Sequence, residues 1–194
     1  MKIHDDLTYY IKKQALDAGA LLAGFTKIRR VEPVIILGFS FTDTWFFKHP
    51  LSISKLLGKT SATSIHVQDV IAKTLKSQGY KAEYKTIWSL YGDFRPLAVS
   101  AGLGDWGRNG IIVNKEHGAG LLFAAIFTDA PLEITSPKAR PTQDHQQHCI
   151  DCQQCISSCP AKAFENNKFH TFRCLPYAIK GCSECLKICK GRLS

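Results

Sequence analysis

The chain has 194 residues, 25 Lys+Arg against 16 Asp+Glu and a formal net charge of +9, with 45% hydrophobic and 21% charged residues. That composition excludes a disordered chain, and a chain of this length buries roughly 70% of its extended surface, enough for one good core and a small satellite. No apolar run approaches the roughly 18 residues of a membrane span. The N-terminus turns acidic at Asp5 and Asp6 before any apolar stretch, which does not read as a secretory signal, so a cytoplasmic protein without a membrane partner is expected.

Taken in chain order, Asp5 or Asp6 would cap a first helix that carries Leu7, Tyr10, Ile11 and Ala15 on one face and ends near Gly19. Residues 21–25 and 34–41 predict strands, the second almost continuously apolar, as in a strand covered on both faces. Residues 42–63 read as a loop with a short helical piece. Val67, Val70, Ile71 and Leu75 then space a helix that runs from Ser64 to Gly79. Further strands are expected over 81–87, 111–113 and 121–128. A shift in composition over 135–148, with Pro137, Pro141 and several glutamines, marks a linker. The expected organisation is an α/β domain over residues 1–140 and a small cysteine-bearing domain over 141–194.

All eight cysteines lie beyond residue 148: Cys149, Cys152, Cys155, Cys159, Cys174, Cys182, Cys185 and Cys189. A secreted disulfide scaffold would spread its bridges through the domain instead. Cys149-x2-Cys152-x2-Cys155-x3-Cys159-Pro160 has the spacing of bacterial [4Fe–4S] ferredoxins, in which the fourth cysteine ligates the other cluster. Three thiolates three residues apart wrap a loop around three corners of a cubane, and the next one points out of that loop. Cys182-x2-Cys185-x3-Cys189 follows the same logic, with Cys174 supplied from upstream. Crossed ligation assigns Cys149, Cys152, Cys155 and Cys189 to one cluster. Cys159, Cys174, Cys182 and Cys185 go to the other. Two tetrahedral zinc sites, and with them a zinc-based interaction protein, are the rival reading of C-x2-C pairs, and the spacing disfavours it. Eight thiolates only partly offset by iron would lower the positive charge. An acidic redox partner or a phosphate-bearing ligand then suits the remaining balance without nucleic acid.

Ala101-Gly102-Leu103-Gly104-Asp105-Trp106-Gly107 contains G-x-G-x-x-G, which marks a dinucleotide site only where it follows a strand and opens a helix. Here it leads into Ile111-Ile112-Val113, a strand pattern, so that reading is set aside. Glycines at 102, 104, 107 and 110 permit either the close approach of a ligand or simply a tight turn.

Residues 101–114, the segment Phe127-Thr128-Asp129-Ala130-Pro131-Leu132 and both cysteine groups together resemble the epoxyqueuosine reductase and reductive dehalogenase superfamily. The match in order and spacing covers residues 90–190. The resemblance implies an α+β fold: a nitroreductase-like α/β domain followed by a small bacterial-ferredoxin-like domain with two [4Fe–4S] clusters. It implies a bound cobalamin, reached by electrons from a reduced donor of the ferredoxin or flavodoxin type through the clusters, and attack of reduced cobalt on an epoxide or a carbon–halogen bond. By the same resemblance Gly102, Gly104, Gly107, Arg108 and Asn109 would line the corrinoid, with Arg108 pairing an anionic group of it.

Asp93-Phe94-Arg95-Pro96 has the form of the segment that carries the proton-donating acid of epoxyqueuosine reductases. As a general acid Asp93 would need a raised pKa in an apolar pocket; the other reading is a turn residue beside Gly92. His117, His145 and His148 have no matching role and read as solvated loop histidines. With the sequence ending soon after Cys189, a short form without the helical-repeat region that helps hold tRNA is expected, and tRNA is not expected as a partner. Self-association as a homodimer would cover an open corrinoid face. The alternative function is an electron-transfer module that reduces a partner protein or its corrinoid and has no substrate chemistry of its own.

Overall fold

A computed structural model describes residues 3–28, 32–40, 50–86, 93–134, 149, 152–165, 168–180 and 182–189. In chain order the elements are α1 (Ile3–Asp17), β1 (Leu22–Ile28), β2 (Glu32–Ser40), α2 (Pro50–Ser77), β3 (Ala82–Lys85), α3 (Arg95–Ser100), β4 (Asp105–Trp106), β5 (Ile112–Val113), β6 (Leu121–Thr128), α4 (Gln154–Ser157), β7 (Phe164–Glu165), β8 (Lys168–Phe169), α5 (Thr171–Ile179) and α6 (Glu184–Lys187). Four strands form one sheet in the order β1-β2-β6-β3, and two small hairpins pair β4 with β5 and β7 with β8. The fold is mixed α/β with antiparallel pairings. Among the described residues, no helix is long and apolar enough to cross a membrane.

The chain divides into two compact units, Met1–Phe39 with Lys59–Leu103 and Leu122–Arg140, and Ser40–Gly58 with Gly104–Leu121 and Pro141–Ser194. The second unit is therefore discontinuous. It joins two earlier segments to the cysteine-bearing one, where the sequence reading placed everything up to residue 140 in a single domain.

In the first unit β1 and β2 pair antiparallel from Leu22↔Gly38 to Ile28↔Glu32, and β3 pairs β6 from Ala82↔Thr128 to Lys85↔Ala125. Val34 to Phe39 are all buried, as a strand covered on both faces requires. Ile11 and Ala15 of α1 and Val67, Ile71 and Leu75 of α2 share one core cluster with Phe25, Ile35, Leu37 and Ile126 of the sheet. Both helices end in the same device. Gly19 and Gly79 take φ of +113° and +87°. Their N–H groups bond Leu16 and Lys76 carbonyls at 3.0 Å, while Ala20 and Tyr80 reach back to Ala15 and Leu75 at 3.0 Å, the Schellman pattern.

Four expectations are corrected here. α1 begins at Ile3, so Asp5 and Asp6 lie inside its first turn rather than at its cap. Tyr10 is half exposed, because Leu7, Ile11 and Ala15 alone make the i, i+4 stripe. α2 starts at Pro50, 14 residues before the predicted start, and is 28 residues long. Its apolar stripe continues toward the N-terminus in Thr60 and Ser64, which are buried although their side chains are polar. Gln68, also buried, donates through Nε2 to the carbonyls of Lys85 and Ala125 at 3.0 Å each, and Ser64 Oγ donates to Gln68 Oε1 at 3.3 Å. The helix thus docks through an amide that bridges β3 and β6. The strand expected at 21–25 runs on to Ile28 because β2 pairs its whole length. The linker reading at 135–148 and the 42–49 part of the loop reading at 42–63 lie outside the described residues, and the rest of that loop, 50–63, is helix.

Candidate functional site

The glycine-rich stretch is built in two halves. α3 closes on Gly102, whose φ is +72°. Gly102 N–H bonds Val99 O and Leu103 N–H bonds Ala98 O, both at 2.9 Å, so the first glycine is a helix terminator of the kind found at Gly19. Ala101 and Leu103 are buried against Gly24 of β1, where an added Cβ would lie 2.8 Å from Leu103 Cδ2 and 2.9 Å from Ala101 O. Thr26 and Ser100 hydroxyls share a 2.7 Å hydrogen bond beside this contact.

The second half is the β4–β5 hairpin, with Asp105↔Val113 and Trp106↔Ile112 in register. A Cβ at Gly104 would lie 2.7 Å from Ile112 Cγ2 and Val113 O; one at Gly107 would lie 2.6 Å from Val113 Cγ2. Gly110, at φ +71°, completes the turn with its N–H on Gly107 O at 3.0 Å. Every glycine of the stretch has an internal reason. Protein atoms already fill the space beside Gly104 and Gly107, so those two offer no open approach to a ligand. Gly102 is exposed and Arg108 half-buried.

Asn109 is 3% exposed and its amide is committed within the second unit. Oδ1 accepts the Ile111 N–H at 3.2 Å, and Nδ2 donates to Cys185 O at 3.4 Å. One side chain therefore ties the hairpin turn to the backbone of a cysteine 76 residues away.

None of the eight cysteines is in a disulfide. α4 packs against α6, which brings together the elements that carry Cys155 and Cys185. Burial pushes the Cys155 thiol up to about 11, and the neighbouring Cys189, Cys149 and Cys152 add to the rise. Burial raises Cys174, with Cys159 and Cys182 adding to it. Cys185 is pushed up to about 11 by burial, then by Cys174, Cys182, Cys155 and Cys159. Without a metal these thiols hold their protons at neutral pH, and any metal that binds must displace them. Among the described residues no group of three His, Cys, Asp or Glu side chains is placed to hold a metal ion. Ser158 and Ser183, beside Cys159 and Cys182, have buried hydroxyls without a hydrogen-bond partner. The sequence reading missed both.

Asp93 is exposed and faces its own neighbour. Arg95 donates its backbone N–H to Oδ1 at 3.0 Å, Nε to Oδ1 and Oδ2 at 2.8 and 2.9 Å, and Nη2 to Oδ2 at 2.8 Å. These bonds hold the carboxyl below the usual carboxylate range against a smaller opposing effect of burial. The raised pKa expected of a proton donor is not found, and the geometry is that of a turn leading into α3. His117 is half-buried with its backbone N–H on Asn114 Oδ1 at 3.1 Å; His145 and His148 lie outside the described residues.

The Phe127-Thr128-Asp129 segment also has an internal role. Thr128 Oγ1 donates to Lys81 O at 2.6 Å and Asp129 Oδ1 accepts the Lys81 N–H at 2.7 Å, which pins the start of β3 to the end of β6. A cleft of about 480 Å³ opens beside that edge, lined by Lys81, Glu83, Asp129 and Glu32 among others, and it contains none of the predicted site residues.

What these observations define as a class is a mixed α/β protein with a C-terminal segment of eight cysteines, several of which interact electrostatically. No family model matches the chain. In sequence it is 28% identical over 148 residues to the epoxyqueuosine reductase of Aliivibrio fischeri, across 62% of this chain and 38% of that enzyme. It is 31% identical over 115 residues to the tetrachloroethene reductive dehalogenase of Desulfitobacterium hafniense, across 59% of this chain and 20% of that one.

In structure it is similar to a reductive dehalogenase solved in connection with B12-dependent dehalogenation, with a TM-score of 0.78, 17% identity, and 96% of this chain against 32% of the other. It is also similar to an epoxyqueuosine reductase solved with a tRNA-Tyr stem loop, with a TM-score of 0.67, 14% identity, and 95% of this chain against 64% of the other. The chain is thus related in sequence to epoxyqueuosine reductases and reductive dehalogenases and shares their fold. It spans two fifths or less of the sequence relatives' own length.

Proposed function

We propose that this chain is an iron–sulfur redox protein that holds two [4Fe–4S] clusters crosswise and delivers electrons to a corrinoid, as a reductase of epoxide or carbon–halogen bonds akin to its relatives. The observation that carries the iron–sulfur part is the grouping of the thiols. Cys155 interacts electrostatically with Cys149, Cys152 and Cys189, while Cys174 interacts with Cys159 and Cys182. Cys185 interacts with Cys159, Cys174 and Cys182 and also with Cys155, so the grouping supports the crossed sets without fully separating them. An all-thiolate donor set fits iron–sulfur chemistry.

When bound, the clusters supply one-electron transfer. The chain's own contribution is to bury Cys155 and half-bury Cys185, to fix the Cys185 peptide through Asn109, and to keep α4 against α6. Contacts to a corrinoid would fall to the exposed Gly102 and to Arg108.

The filled space at Gly104 and Gly107 favours a second reading, an electron-transfer module that reduces a partner's corrinoid. Anaerobically purified protein is expected to be brown and to bleach on reduction, with about eight irons per chain. A folded, colourless preparation stoichiometric in zinc overturns the iron–sulfur reading. Titration with cobalamin separates the other two: a spectral change supports the reductase, and silence in every cobalt oxidation state leaves the module.

A further inference from the structure

Two hydroxyls in the cysteine segment, Ser158 Oγ and Ser183 Oγ, are buried and have no hydrogen-bond partner. A buried hydroxyl left unmatched is costly, so each calls for an acceptor. Ser183 is the more telling. It is the residue before α6, the position from which a serine normally turns its oxygen to the helix's free N–H groups. It makes no such bond. The N–H groups of Leu186 and Lys187 go instead to Ser183 O at 2.9 and 3.0 Å, and the residue is only 5% exposed. Ser158 closes α4 in a similar way, with its backbone N–H on Gln154 O at 3.0 Å and its hydroxyl left over. The adjacent Ser157 does donate its hydroxyl to Gln154 O at 3.1 Å, so a local acceptor exists that Ser158 does not use.

The two serines share a further property. Ser158 precedes Cys159 and Ser183 follows Cys182, so both flank thiols of one set, Cys159, Cys174, Cys182 and Cys185. Resting on the iron–sulfur reading above, we propose that Ser158 and Ser183 donate hydrogen bonds to sulfur of that one cluster and raise its reduction potential. When such a cluster takes one electron, its sulfurs gain negative charge, and an O–H donor stabilises the reduced form more than the oxidised one. The electron comes from the external donor, the hydrogen stays on the serine oxygen, and no bond forms or breaks in the protein.

The test uses the full chain, purified anaerobically, with iron and sulfide counted first and an EPR-monitored redox titration run on wild type, Ser158→Ala and Ser183→Ala. Each substitution is expected to disfavour one-electron reduction of the same cluster by about tenfold, a shift of about 59 mV to lower potential. Ser183→Thr, which keeps the hydroxyl, is expected to restore the wild-type value. Clusters present at full count with both potentials unmoved overturn this proposal and leave the iron–sulfur reading standing. Shifts on two different clusters overturn the assignment to one. Iron without sulfide in the wild type overturns the reading beneath it. Should Ser183→Ala fail to load iron, Ser158→Ala decides alone.

Discussion

Asn109 serves two half-buried groups with one side chain, the Ile111 N–H and the Cys185 carbonyl. Truncation to alanine removes both bonds, and a buried donor left unmatched costs about 1–3 kcal/mol. Asn109→Ala is therefore expected to lower unfolding stability in urea by that amount. Asn109→Asp keeps the acceptor for Ile111 but sets a carboxylate against the Cys185 carbonyl, and should be worse than alanine; if the aspartate variant is as stable as wild type, the Cys185 contact is not a stabilising one.

Asp93 works on a different scale of energy. Its folded-state pKa is lowered, so its contribution to stability is present above the ordinary value of 3.8 and lost as the pH falls below it. The pair with Arg95 is at 44% and 43% side-chain exposure, where solvent and salt screen it to within about 1 kcal/mol. Asp93→Asn should be slightly less stable than wild type at neutral pH and equal to it in strong acid, by denaturant titration at two pH values. The Asp-x-x-Pro pattern was legible in the sequence. Its electrostatics was not, because a bidentate Arg95 two positions on depends on how the turn folds.

At the level of elements, the strands with continuous apolar runs were readable because burial on both faces leaves no polar position to interrupt them. The N-terminal half of α2 was not. Its inward stripe is written in Thr60 and Ser64, which hydropathy counts as polar, and Gln68 satisfies strand carbonyls that an apolar residue would leave open. The glycines separate into two kinds that look alike as letters. Gly104→Ala forces a Cβ to within 2.7 Å of the Val113 carbonyl, and a backbone oxygen cannot swing aside as a flexible side-chain end does. Gly58 sits inside α2 with nothing within 4 Å of an added Cβ. Gly104→Ala is expected to destabilise by at least 1–3 kcal/mol, roughly the overpacking range, whereas Gly58→Ala should stabilise by roughly 0.5–1 kcal/mol through helix propensity. Thermal melts of the two variants test the pair: equal shifts of the same sign would mean the β4–β5 packing is not as tight as described.

Across the whole molecule the apolar core is unevenly distributed. The core cluster of Ile11, Phe25, Ile35, Leu37, Val67, Ile71, Leu75 and Ile126 belongs entirely to the first unit. From residue 149 onward, the buried apolar residues among those described are Cys155 and Ala163, and α5 buries none. A segment with so little apolar burial cannot offset its conformational entropy by the hydrophobic effect alone, and metal binding is the usual substitute in a domain of this kind. Its eight cysteines are the strongest signal in the sequence, and on the iron–sulfur reading proposed above their spacing specifies what apolar packing does not. On the proposed iron–sulfur reading, removal of iron by an oxidant and a chelator is expected to expose the segment beyond residue 149 to protease within minutes, while the β1-β2-β6-β3 sheet keeps its amide protection. Mass spectrometry of the cut sites and hydrogen exchange read the two halves separately. A segment that stays protected after iron is lost would mean that its thiols are held by packing rather than by inorganic clusters.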